Sequence, residues 1–95
     1  MLFKRPVRWH IYFSGRVQFV GFRYTAAYAA RRYGLTGWVT NLDDGRVEME
    51  IQGDVTKIRK LIVEMKSHSH IRIEGMEITE LPVIPSDKSF EVRGY

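Results

Sequence analysis

From Val7 the chain alternates apolar and polar side chains, with Val7, Trp9, Ile11 and Phe13 set against Arg8, His10 and Tyr12. A period of two marks an extended strand with one buried face. After a loop from Ser14 to Gly21 the period lengthens. Phe22, Ala26, Ala29 (or Ala30) and Tyr33 recur at helical spacing until Gly34 offers a C-cap. Two further extended runs, Thr36 to Asn41 and Arg46 to Gln52, are joined through Leu42-Asp43-Asp44-Gly45, and an Asp-Gly turn between alternating segments is a strong hairpin signal. The second run turns Val47, Met49 and Ile51 inward, Glu48 and Glu50 outward. Gly53 breaks the pattern and Asp54 supplies an N-cap for a second helix ending near Ser67, in which Ile58, Leu61, Ile62 and Met65 fall at i, i+3, i+4 and i+7. Beyond it, Ile71/Ile73 and Met76/Ile78 alternate on either side of Gly75, which predicts a strand from about residue 75 with an irregular lead-in. Pro82 and Pro85 stop that strand, and Phe90 with Val92 suggests a last short one.

The element order is therefore β-α-β-β-α-β with a small fifth strand, an α+β sandwich in which two helices cover one face of a mainly antiparallel sheet and leave the other open. Ninety-five residues, 44% of them hydrophobic, suffice for one domain spanning 1–95 without metal or disulfide staples. The absence of cysteine excludes a thiolate nucleophile, an iron-sulfur cluster and zinc held by thiolates. No apolar run approaches the roughly 20 residues that span a bilayer, and no long apolar stretch follows the charges at the start, so a soluble, cytoplasmic chain is expected. Fifteen Lys and Arg against eleven Asp and Glu leave a net charge of +4. The excess is uneven: residues 1 to 35 hold Lys4, Arg5, Arg8, Arg16, Arg23, Arg31 and Arg32 and no acid, which turns this end toward an anionic partner.

The richest stretch chemically is Gly15-Arg16-Val17-Gln18-Phe19-Val20-Gly21-Phe22-Arg23, a loop that leaves a strand and runs into a helix. Backbone N–H groups at such a junction lack intrahelical partners and meet the positive end of the helix dipole, a cradle for phosphate oxygens. A cation in the first helical turn opposes that dipole by about 0.3 to 1 kcal/mol, and an anion held between them reverses the penalty. Arg23 also presents a planar fork that grips two phosphate oxygens together. The plain alternative is a solvated arginine with its stem over the core. The loop lacks the Gly-Lys-Ser/Thr ending of a nucleotide P-loop and the three-glycine dinucleotide fingerprint.

Gly15-Arg16-Val17-Gln18, Val20-Gly21-Phe22-Arg23, and Gly37-Trp38-Val39-Thr40-Asn41 followed by Asp44-Gly45-Arg46-Val47-Glu48 resemble the acylphosphatase family, and the likeness extends over almost the whole chain. The resemblance implies a ferredoxin-like βαββαβ fold and metal-independent hydrolysis of the anhydride between a carboxylic and a phosphoric acid. It further implies that Arg23 and the loop amides of Gln18, Phe19, Val20, Gly21 and Phe22 bind the phosphoryl group, and that Asn41 holds the attacking water. No cofactor is implied, and the expected partners are a small acyl phosphate and inorganic phosphate, bound by a monomer. The chemistry suits this equipment. The leaving carboxylate has a conjugate acid of pKa about 4, so it departs without a general acid. Positioning a water and stabilising a metaphosphate-like group is then sufficient. On its own, an Asn before a turn is ordinary turn chemistry.

The chain departs from the family where Phe19 stands in place of a loop glycine, and where Ser67-His68-Ser69-His70-Ile71 replaces a Gly/Pro-rich connection. If position 19 takes a positive φ, a non-glycine residue costs roughly 1 to 2 kcal/mol, and an inward ring would crowd the anion. Activity below that of a Phe19→Gly variant is therefore expected, and a catalytically weak or silent anion-binding domain is the second reading. Two other readings are weaker. His68 and His70, with His10 elsewhere, could supply three metal ligands, but no acidic ligand or supporting partner is implied and solvated histidines explain them. Trp9, Trp38, Tyr12 and Tyr24 could stack bases, since RNA recognition modules share the element order. Against this, Glu48 and Glu50 lie on the face where an RNA backbone would approach, and no nucleic-acid partner is expected.

Overall fold

The computed structural model describes residues 5–94. Its elements are β1 (Val7–Arg16), α1 (Phe22–Arg32), β2 (Thr36–Asn41), β3 (Val47–Gly53), α2 (Val55–Lys66), β4 (Arg72–Leu81) and β5 (Phe90–Val92). They form one five-stranded sheet in the order β4-β1-β3-β2-β5, antiparallel except where β5 runs parallel to β2. The α+β sandwich read from the sequence is this fold. Ile11 and Phe13 of β1, Val39 of β2 and Val47, Met49 and Ile51 of β3 are buried on the helix side of the sheet. Phe22, Ala26, Ala27, Ala29 and Ala30 of α1, with Ile58, Leu61, Ile62 and Met65 of α2, close the core over them. Both helices end as their sequences imply. Asp54 caps α2 by accepting the Thr56 N–H at 2.8 Å. At the end of α1, Leu35 N–H reaches Ala30 O and Gly34 N–H reaches Arg31 O, the paired bonds of a Schellman cap.

Two features differ from the sequence expectation. The fourth strand starts at Arg72 rather than near residue 75, because the irregularity at Gly75 is a bulge and not a beginning. Ser14 pairs with Gly75 and Gly15 with Ile73, so Glu74 is the extra residue. Second, the face away from the helices is crossed by residues 82–89, which carry the chain from β4 at one edge to β5 at the other. Arg8 anchors that segment, donating to Asp87 Oδ2 at 2.8 Å and to Glu50 Oε1 at 2.7 Å, while Gln52 exchanges two 2.8 Å bonds with the backbone of Ile84. Arg8 is only 2% exposed. Burial disfavours its charge, and the hydrogen bonds to Asp87 and Glu50 outweigh this and hold its pKa above the ordinary arginine value.

Candidate active site

The junction between β1 and α1 is shaped by the bulge. At Gly15 φ is +118°, and a Cβ there would lie 2.3 Å from the Arg72 carbonyl oxygen, so only glycine lets β4 approach as the chain leaves the sheet. Val17 and Phe22, 1% and 2% exposed, pin the two ends of the following loop into the core, and Phe22 packs against Phe13 with ring centroids 5.0 Å apart. Between these anchors the backbone is held open. Phe19 (φ +62°) and Gly21 (φ +77°) are left-handed, and such residues curl successive N–H groups into an anion-binding concavity. Among the described residues, no amide from Gln18 to Phe22 donates to a backbone carbonyl; the next to do so is that of Thr25, to Gly21 O at 3.0 Å. The first turn of α1 carries no acidic residue, and its N-cap, Gly21, offers no side-chain cap. The positive end of the helix is thus left without a counter-charge of its own.

Arg23 and Asn41 line the same hollow as this loop, a space of about 240 Å³ bounded also by Val17, Gly21 and Tyr24. Arg23 is oriented from the far end of the chain: its Nη1 donates to the Arg93 carbonyl at 2.8 Å. The Arg93 N–H in turn bonds Val39 O at 2.8 Å, which fastens the segment after β5 to β2. One nitrogen is engaged in this way, and the remaining guanidinium donors are available to a ligand. Asn41 is the last residue of β2, opposite Val47, and its carboxamide has no hydrogen-bond partner among the described residues. The sequence expectation brought these residues together by family motif, and the fold brings them together in space.

Sequence reasoning missed two supports. The Gln18 side chain spans from the loop to the hairpin turn, donating to Leu42 O at 2.7 Å and Arg46 O at 2.8 Å, and so fixes the loop relative to Asn41. A long carboxamide flanked by loop glycines was the only local signal for it. The carbonyl of Arg93 had none. The turn itself is stiffened by Asp44, which accepts from the Arg46 backbone N–H and side chain; these bonds hold its carboxyl below the usual range.

Phe19 does not enter the hollow in the way that would crowd an anion. Its ring is 99% exposed, so of the two penalties expected, only the backbone strain is present. A left-handed Phe costs about 1 to 2 kcal/mol, of which glycine's greater freedom in the unfolded chain offsets about half. Phe19→Gly should therefore raise the thermal unfolding midpoint by about 2 to 6 °C in a calorimetric scan. An unchanged or lower midpoint would mean the loop stores no strain.

The other candidate chemistry disperses. His10 bonds Glu48 Oε2 at 2.7 Å, His68 and His70 are exposed between α2 and β4, and no described group of three His, Asp or Glu is arranged to hold a metal ion. The aromatic rings proposed for base stacking are partly taken up by arginines, with Arg93 4.7 Å above Trp38 and Arg46 4.4 Å above Tyr12. No described helix is long and apolar enough to cross a membrane.

Comparison with known proteins agrees with this geometry. A profile of the acylphosphatase family matches residues 9–92. An acylphosphatase of Rubrobacter xylanophilus is 41% identical over 95% of this chain and 83% of its own length. The crystal structure of acylphosphatase from Bacillus subtilis superposes with a TM-score of 0.84 at 30% identity, covering 93% of this chain and 99% of that one. An acylphosphatase structure from Coxiella burnetii gives 0.81 at 30% identity, covering 93% of each. Nothing among these relatives favours a silent anion-binding domain. With the βαββαβ sandwich, the open loop and both motifs in place, the chain belongs to the acylphosphatase family.

Proposed function

We propose that hydrolysis of acyl phosphates by this chain is carried out by the loop amides of Gln18, Phe19, Val20, Gly21 and Phe22, by Arg23, and by Asn41. The observation that carries this reading is the convergence, around one small hollow, of loop amides and a carboxamide that have no partner among the described residues, a helix N-terminus without a counter-charge of its own, and a guanidinium. The amides and Arg23 bind the three equatorial phosphoryl oxygens and hold them in the flattened, metaphosphate-like arrangement of the transition state, so their dipoles act where stabilisation accelerates the reaction. Asn41 holds a water on the side of phosphorus away from the acyl oxygen. As that water's oxygen bonds to phosphorus, the bond from phosphorus to the acyl oxygen breaks and its electron pair leaves with the carboxylate. The water's protons remain on the product phosphate. An acyl phosphate dianion and water thus become a carboxylate and a singly charged dihydrogen phosphate, with no charge left over.

The leaving carboxylate needs no proton, and no histidine is assigned a role. The partners are a small acyl phosphate and inorganic phosphate, and the chain acts as a monomer without a metal. Phosphate release from acetyl phosphate in the presence of a strong chelator tests this. The rate should equal that without chelator. Loss of most of the activity would contradict the metal-free assignment and return attention to the histidines.

A further inference from the structure

Phe19 is the only non-glycine residue with positive φ among the described residues, and the most exposed of their large apolar side chains. Its ring fills no core position and joins no aromatic pair among those residues. A bulky side chain on a left-handed backbone, turned wholly into water, gives the fold nothing, and such outliers cluster where ligands are handled. Its position agrees with that. Phe19, together with Asn41, lines both the hollow that contains Arg23 and a neighbouring hollow of about 600 Å³ reaching to Leu42 and Gly94. The inner side of the first hollow is closed by buried Val17 and Phe22, so a substrate whose phosphoryl group rests on the loop amides must direct its acyl part outward, past the rim. That rim carries two exposed rings, Phe19 and Tyr24.

We infer that Phe19 is a specificity-determining residue that favours acyl phosphates with an aromatic or bulky apolar acyl group over acetyl phosphate. Its ring covers the acyl part once the phosphoryl group is seated. This rests on the phosphate assignment made above. An exposed phenyl face can shield about half of a second ring from water, and the offset or edge contact adds to that burial. The gain accrues only to substrates large enough to reach the rim.

The test compares kcat/KM for benzoyl phosphate and acetyl phosphate in the wild type and in Phe19→Gly, Phe19→Asn and Phe19→Tyr. Glycine and asparagine accept the left-handed backbone, so these two variants remove the ring without adding strain. Taking the ratio of the two substrates cancels any change in the phosphate cradle and the intrinsic difference in leaving group. The benzoyl-to-acetyl ratio should fall about five- to tenfold in Phe19→Gly and Phe19→Asn and stay within about twofold in Phe19→Tyr. An unchanged ratio in the first two, with both substrates still hydrolysed, overturns the role of the ring alone. A wild type inactive on both substrates overturns it together with the phosphate assignment.

Discussion

Arg23→Ala should lower kcat/KM for an acyl phosphate by about 10³- to 10⁴-fold, a loss of about 4 to 5.5 kcal/mol of transition-state stabilisation. Two links in the structure set that size. Among the described residues the hollow is lined by no other side-chain cation, so none of them but Arg23 supplies a full positive charge there. It is also already oriented, through its 2.8 Å bond to the Arg93 carbonyl, and little ordering remains to be done when the anion arrives. Because phosphate is held in the ground state as well, KM and the inhibition constant of inorganic phosphate should both rise. Arg23→Lys should recover only part of the loss, since an ammonium offers no planar fork. The fold should survive. Losing one partly exposed hydrogen bond costs about 0.5 to 1.5 kcal/mol, and removing a cation from the first helical turn returns about 0.3 to 1. A thermal midpoint within a few degrees of wild type, measured alongside the kinetics, separates lost catalysis from lost structure. Activity within tenfold of wild type in a folded Arg23→Ala protein would remove Arg23 from the site.

Asn41→Ala has a different kinetic signature. The carboxamide is assigned to the water and not to the phosphoryl group, so kcat should fall about 10²- to 10³-fold while KM changes by no more than a few-fold. Asn41→Asp should do no better, because a carboxylate beside the phosphoryl group repels the dianion although it can still accept from water. Asn41 ends β2 partly buried, and its carboxamide bonds no described group, so its replacement should leave stability nearly unchanged. A kcat equal to wild type, or a rise in KM that accounts for the whole effect, would reassign Asn41 to turn structure or to phosphate binding.

Strands and helices were legible in this chain wherever one face is uniformly apolar. Val7 to Phe13, Val47 to Ile51 and Ile58 to Met65 each repeat at the period their element imposes, and the structure packs those faces into the core, with Val7 and Trp9 partly buried at its edge. What could not be read depended on residues distant in sequence. Gly75 looks like a break in a strand, and its meaning as part of a bulge emerges only when Ser14 and Gly15 are placed beside it. Arg8 alternates as an outward residue of β1, yet it is buried, because Asp87 and the 82–89 segment cross that face nearly eighty positions later. The site divides in the same way. Its amides and Arg23 follow from a strand-to-helix junction, a local pattern. The bonds that hold the parts in relation, from Gln18 to Leu42 and Arg46 and from Arg23 to Arg93, join elements far apart in the chain. The direction of the Phe19 ring was equally hidden: a positive φ is compatible with a side chain on either side of the loop, and only its neighbours decide.

The claim on which the rest depends is that the amides of residues 18 to 22 and the Arg23 guanidinium hold a phosphoryl group. Titrating the isotope-labelled protein with inorganic phosphate while following its backbone amide resonances addresses this without turnover. The signals of Gln18 through Arg23 should move together along one saturable curve, and the same titration of Arg23→Ala should leave them nearly still at equal phosphate. If those signals stay in place while resonances around other basic residues, such as Arg59 and Lys60 on α2, move instead, the phosphate site lies elsewhere.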